Sequence, residues 1–312
     1  LDLELNLILW LRETLPGLVG VFEVLTSLGN EMFYLVFMPL VYWCLDRATG
    51  ARLTVLFLTS VATNSGAKAL FDQPRPLTYA PTRVEHLFDI PLAEAQERYE
   101  ATGNGFPSGH TQNTLTIWGY LAARTRRLHL PSFPAAGTLI LVVAALLILL
   151  VPLSRIYLAV HFPRDLAGGY VIGAVLLGLF LWLEPKATAT LARLGLPWQV
   201  GIAVAVPALM MLLYPHEATV TAGATLMGMG VGFAIDRRWV HFETAGAAWQ
   251  RALRFALGIA GLLVLYTGLK AAFAPLTPVL FWRFIRYTLI GLWGSIGAPW
   301  AFIQAGLANR RI

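Results

Sequence analysis

The sequence predicts an all-α integral membrane protein with about nine transmembrane helices. Of its 312 residues, 57% are hydrophobic and only 13% charged, and the mean hydropathy is +0.65, more apolar than one soluble core of this length requires. Apolar stretches near the roughly 20 residues that cross a bilayer recur along the chain. Charged and helix-breaking clusters such as Asp46-Arg47, Glu184-Pro185-Lys186 and Asp236-Arg237-Arg238 separate them.

Residues 3–15 place Leu5, Leu7, Ile8, Leu9, Trp10 and Leu11 beside Glu4, Arg12 and Glu13, which suits a helix lying in the membrane interface. Leu1-Asp2-Leu3-Glu4 lacks a basic n-region and a small-residue cleavage site, so no signal peptide is expected there. Nine spans then read at 18–44, 51–71, 109–126, 135–153, 164–183, 198–214, 218–235, 252–274 and 284–307. The connection 72–107 stands apart: it carries Pro74, Pro76, Pro81 and Pro91 and an acidic helix-prone piece, Leu92 to Glu100, and a loop of this length is expected to be functional. Gly169 with Gly173, and Gly228 with Gly232, have the spacing that lets helix backbones approach closely.

Counted alternately, the even loops and the C-terminus hold 13 of the 23 Lys and Arg, including Arg124, Arg126, Arg127, Arg237, Arg238, Arg310 and Arg311. The positive-inside bias therefore predicts a cytoplasmic C-terminus and a long loop facing outside. The +6 net charge is dispersed, without a basic run or an aromatic-rich RNA motif, so no nucleic-acid partner is expected. The single Cys44 excludes an intrachain disulfide and a multi-thiolate metal site. His86, His129, His216 and His241 show no zinc-type spacing and read as loop or interface residues; no metal or other cofactor is expected.

Three polar segments lie at span ends that face one side. The first closes the second span with Lys68 and Arg75, followed by Pro76; the second, Pro107-Ser108-Gly109-His110, opens the third span; the third runs from Ser154-Arg155 through His161 to Asp165. A phosphate ester needs cations, free backbone amides, a nucleophile and an acid for its leaving oxygen. Ser108 and Gly109 supply a helix start, where unpaired amides attract anions, and Lys68, Arg75 and Arg155 supply charge. Asp165, four residues after His161, can orient that imidazole, whereas His110 has no visible partner. His161 is thus the expected nucleophile and His110 the general acid. Glu31 and Asn64 are polar residues inside spans and weaker candidates for a site role.

Lys68 with Arg75-Pro76, Pro107 to His110, and Ser154-Arg155 with His161 and Asp165 resemble the three motifs of the type 2 phosphatidic acid phosphatase superfamily, over about 100 residues and without departure. The resemblance implies a metal-free, two-step hydrolysis at the outer membrane face and a six-helix phosphatase core, an interfacial helix plus five spans, followed here by four additional spans. The expected division is 1–185 for the catalytic core and 198–312 for an appended helical region. The resemblance also implies that Lys68, Arg75, Arg155, Ser108 and Gly109 bind phosphate, with Ser154 as structural support. Leu28-Gly29-Asn30-Glu31 and Tyr42-Trp43 resemble the bacterial and sphingosine-phosphate phosphatase branch.

The expected partners are a phosphorylated lipid and the bilayer, in the plasma or inner membrane of a prokaryote, with homo-oligomerisation left open. Two other functions stay in play: a sugar-phosphate phosphatase, because nine spans are similar to glucose-6-phosphatase, and a non-catalytic phospholipid-binding or transport protein. Vanadate-dependent haloperoxidases share the phosphate-binding segments, but the hydrophobic spans argue against them.

Overall fold

The computed structural model describes residues 1–125 and 134–310. Arg126, Arg127, His129 and Arg311 lie outside the described residues. In chain order the α-helices are α1 (Asp2–Thr14), α2 (Val19–Ser27), α3 (Glu31–Leu40), α4 (Arg47–Phe71), α5 (Pro76–Tyr79), α6 (Pro81–Val84), α7 (Leu92–Arg98), α8 (Gly109–Thr125), α9 (Pro134–Tyr157), α10 (Pro163–Arg193), α11 (Leu196–Leu213), α12 (Glu217–Ile235), α13 (Ala248–Phe273), α14 (Val279–Leu292) and α15 (Ala298–Gln304). Wider π-type turns at Val41–Leu45, Asp236–Val240 and Trp293–Gly297 extend or join helices.

Helix underlies each of the nine predicted spans, but the spans differ in character. Among the described residues, Gly137–Tyr157, Pro163–Arg193, Leu196–Leu213, Glu217–Val240 and Ala248–Phe273 are long and apolar enough to cross a membrane. Pro16–Ser27 and Glu31–Leu45, bent by 46°, make a sixth if they form one span. The other three predicted spans are less typical: α4 and α8 carry many polar residues, and the segment 284–307 is interrupted by the turn at Trp293–Gly297.

The described residues form two compact units, Leu1–Tyr34 with Thr63–Trp182, and Leu35–Ala62 with Leu183–Ile312. This partition differs from the sequence division at 185 and 198, because residues 35–62 group with the C-terminal helices. The reason lies in the side chains: Tyr42, Trp43 and Cys44 share a core with Val240, Phe242, Ala298 and Phe302. Trp43 Nε1 donates to the Gly294 carbonyl at 2.8 Å, and Arg47 pairs with the buried Asp236. In this unit Gly228 and Gly232 of α12 lie against α14 and the turn that follows it; a Cβ on Gly228 would come within 3.0 Å of the Leu292 amide nitrogen.

In the first unit the 72–107 connection is folded. Leu77, Val84, Leu87, Ala95, Tyr99 and Ala101 pack into a core with Leu5 and Ile8 of α1, Phe22 of α2, and the segment Tyr157 to Phe162. α1 is two-sided, burying Leu5 and Ile8 while Leu3, Leu7 and Trp10 stay exposed, as an interfacial helix requires. Gly169 and Gly173 bring α10 against α8, where added Cβ atoms would lie 2.7 Å from the Ser108 carbonyl oxygen and 3.2 Å from that of Gln112.

Candidate active site

Proline and helix ends set the local geometry. Pro163 opens α10, where its missing N–H costs no hydrogen bond. Just before it, the Arg155 carbonyl accepts from both the Val160 and His161 amides (3.1 and 3.2 Å), and Ala159 turns at φ 56°. This tight reversal drives His161 into the protein. Asp165 then lies one helical turn beyond: its Oδ2 faces His161 Nδ1 at 3.1 Å and accepts the Phe162 amide at 3.0 Å. The arrangement fixes the imidazole with Nδ1–H toward the carboxylate, so that Nε2 carries the lone pair.

Arg75 meets that lone pair. Its Nη1 lies 2.9 Å from His161 Nε2 and 3.0 Å from the Val160 carbonyl, and its Nε donates to the Gly103 carbonyl at 3.1 Å. Arg75 as a whole is 2% exposed. Burial draws Arg75 down to about 10, with Asp165 opposing the shift, so it keeps its charge at neutral pH. Burial first, and then the positive charges of Arg75, Arg155 and Lys68 and of His110, hold His161 well below the usual imidazole range.

Lys68, in the last turn of α4, donates to the Asn104 carbonyl at 2.7 Å, and the Asn104 amide returns a bond to the Lys68 carbonyl at 3.0 Å. Gly105 follows, where a side chain would strike Asp165 Oδ2 and the Pro74 carbonyl, each at 3.0 Å. Ser108 is fully buried and caps α8, its Oγ accepting from the Thr111 amide at 3.4 Å while its own amide donates to the Asp165 carbonyl at 2.9 Å. Gly109 packs on Asn64, whose side-chain amide donates to the Pro107 carbonyl and to Gln112. Asn64 therefore supports the motif from α4.

Arg155 is fully buried, donating to Thr26 Oγ1 at 2.6 Å and to the Tyr99 carbonyl. Its Nε has no hydrogen-bond partner among the described residues. Ser154 stays within its helix, bonding the Val151 carbonyl at 2.6 Å.

The structure corrects the expectation that His110 stands without a partner. His110 Nε2 lies 2.8 Å from Asn30 Oδ1 and 3.9 Å from Glu100 Oε2. Gly29 admits the ring, since a Cβ there would lie 2.8 Å from His110 Cδ2. Sequence reasoning missed Asn30, Glu100 and Asn104; the one signal was Leu28-Gly29-Asn30-Glu31, a polar break inside an apolar run.

All eight predicted site residues belong to the first unit. Among the described residues no cluster of His, Cys, Asp or Glu could hold a metal ion. Three other predicted loop or interface histidines have local roles or surface positions. His86 is exposed near Glu13, His216 caps α12, and His241 lies on the Arg238 carbonyl.

Residues 49–189 match a family described as the PAP2 superfamily, and residues 220–310 match one described as PAP2 superfamily phosphatase, transmembrane extension. A lipid phosphate phosphatase delta of Arabidopsis thaliana is 29% identical over 58% of this chain and 42% of its own length. A sphingosine-1-phosphate phosphatase 2 of Mus musculus is 30% identical over 51% of this chain and 40% of its own. Phosphatidylglycerophosphatase B of Bacillus subtilis is 26% identical, over 57% and 77% respectively. The chain thus spans less than half the length of the plant and mouse relatives it matches. A crystal structure described as a transmembrane PAP2-type phosphatidylglycerolphosphate phosphatase from Bacillus subtilis aligns with a TM-score of 0.46 at 23% identity, covering 59% of this chain and 86% of that one.

Proposed function

Because this chain belongs to the PAP2 superfamily and is an integral membrane protein, we propose that it is a phosphatase that hydrolyses the phosphate or pyrophosphate monoester of a lipid through a covalent phosphohistidine, without a metal. The observation that carries this reading is the two-sided hold on His161, with Asp165 on Nδ1 and the Arg75 guanidinium against Nε2. A nucleophile's lone pair and a phosphate-binding cation share one point in space.

In the first step His161 Nε2 attacks phosphorus. The N–P bond forms, the bond from phosphorus to the alcohol oxygen breaks, and His110 gives that oxygen its proton. In the second step His110 takes a proton from water as the water oxygen attacks phosphorus and the N–P bond breaks. Arg75, Arg155 and Lys68, with the Ser108 hydroxyl and the Gly109 amide, neutralise the phosphoryl oxygens; the Ser108 amide itself is taken by the Asp165 carbonyl. Asp165 stabilises the charge that develops on His161.

A nine-span topology with the site facing outside and the C-terminus in the cytoplasm is our reading of the loop charges. A lipid substrate is supported by the site's position at helix ends and by the lipid phosphatase activities for which the relatives are named. The test is phosphate release by purified protein from phosphatidate, phosphatidylglycerol phosphate, undecaprenyl pyrophosphate and sphingoid-base phosphates, beside glucose 6-phosphate. Turnover of at least one lipid, retained in chelator and lost in His161→Ala, is the expected result. Turnover of glucose 6-phosphate alone overturns the lipid assignment, and full activity in His161→Ala overturns the nucleophile.

A further inference from the structure

Each of the two imidazoles is held by one nitrogen. His161 is held at Nδ1 by Asp165 and presents Nε2 to Arg75. His110 is held the other way round: Asn30 Oδ1 and the Glu100 carboxylate both face its Nε2. No described residue bonds its Nδ1. Two different acceptors converge on the same edge of His110, from separate parts of the chain.

Glu100 is itself placed with care. It sits at φ 50°, a left-handed conformation uncommon for a residue with a side chain. The Glu31 backbone amide at the start of α3 donates to its carboxylate. The preceding residue, Tyr99, lends its carbonyl to Arg155 and its hydroxyl to Glu23 at 2.7 Å, while the Ala101 amide returns to the Gln96 carbonyl at 2.6 Å. The backbone is therefore fixed on both sides of Glu100, and the Glu31 amide holds its carboxylate on the His110 side.

The surrounding cations are what a carboxylate there would oppose. The charged groups bearing on His110 are Arg155 from α9, Arg75 from the 72–107 connection and Lys68 from α4, all needed for phosphate. A general acid must carry its proton among these cations until the leaving oxygen takes it. The groups bearing on Glu100 are Glu31, which lies beside it, and Arg155.

We propose that Glu100 is a positioning residue for the leaving-group acid: with Asn30 it fixes His110 through Nε2, keeps the imidazolium populated, and leaves Nδ1 to hand its proton to the departing oxygen. This rests on the phosphatase reading. Glu100 gains and loses no proton in the step; the proton moves from His110 Nδ1 to the alkoxide as the bond from phosphorus to oxygen breaks.

The experiment compares wild type, E100Q and E100D on a lipid phosphate, whose alkoxide leaves only with a proton, and on p-nitrophenyl phosphate, whose phenolate leaves without one. In E100Q the lipid substrate is expected to slow by about 10²-fold, with the alkaline limb of its pH profile moved to lower pH. The aryl substrate should change by about twofold or less, and E100D should recover most of the loss. Thermal midpoints in detergent confirm that the variants are folded. Equal losses on both substrates, or an unmoved alkaline limb, would overturn the assignment. Trapping the 32P-labelled phosphohistidine separates the two readings: a labelled wild type with an unaltered E100Q defeats only the role of Glu100, whereas an unlabelled wild type defeats the phosphohistidine mechanism and the proposal with it.

Discussion

α8 and α12 are near in length, at 17 and 19 residues, and each is approached by a helix at glycines spaced four apart, yet they bury opposite chemistry. α8 buries His110, Thr111, Gln112, Asn113, Thr114 and Thr116. α12 buries Val220, Ala222, Ala224, Leu226, Met227 and Met229. Close packing through small residues serves both, so packing alone does not mark a site. Polar groups away from water are costly unless they are partnered, and a helix that buries six within seven positions has a use for them. On the proposed function, chemistry belongs to the unit of α8, while α12 shows mainly apolar packing.

That contrast can be broken in several ways. The largest expected effect is His161→Ala, which should lower phosphate release by on the order of 10⁴-fold or more, because a missing nucleophile leaves only binding and electrostatic effects. A residual rate near wild type ends the assignment of chemistry to this unit. Asp165→Asn keeps the shape but loses the charge that sets the His161 tautomer, and a loss of about 10³-fold in kcat is expected from the same logic in other triads. Arg75→Lys keeps the charge but not the planar fork, and should cost about 10²-fold in kcat/KM.

The acid limb of the pH profile sharpens the comparison. His161 must be neutral to attack, and burial with neighbouring cations lowers its protonation below the ordinary 6.5. The nucleophile therefore stays competent further into acid than a free imidazole, and the limb should fall below pH 6.5. A limb above that value would contradict the buried geometry. The smallest effect on chemistry is expected from Gly232→Leu in α12, where even a Cβ would come within 2.9 Å of that of Ser295. Overpacking should cost about 1–3 kcal/mol, read as a lower thermal midpoint, with the pH profile of the folded protein unchanged. A shifted pH profile in that variant would join the two units functionally.

The site residues that could be read from the sequence are those whose spacing is local. Lys68 and Arg75 flank one helix end, Ser108 to His110 form one helix start, and His161 and Asp165 lie one turn apart. Such spacings are fixed by helix geometry, and proline marks where the helices begin. Asn30 was not legible, because it meets His110 across 80 residues and only the tertiary fold brings them together. Glu100 lay inside a segment read as an acidic helix, yet it follows the end of α7 and turns the other way. The grouping of residues 35–62 with the C-terminal helices was equally hidden, since the Tyr42-Trp43 pattern shows apolarity but not its partners.

The bend between α2 and α3 has a consequence for how this region could be engineered. Gly29 and Asn30 interrupt the run, with their amides returning to Thr26 and Ser27 at 2.9 and 3.3 Å and the Asn30 carbonyl starting the next helix. A designer seeking robustness would replace Gly29 with alanine and straighten the segment, gaining helix propensity. The same change would push a methyl into His110 and draw the Glu31 amide into a continuous helical ladder, away from Glu100. The interruption works as an adapter: it turns main-chain and carboxamide groups of an apolar helical run toward His110 and Glu100, which a regular helix could not do.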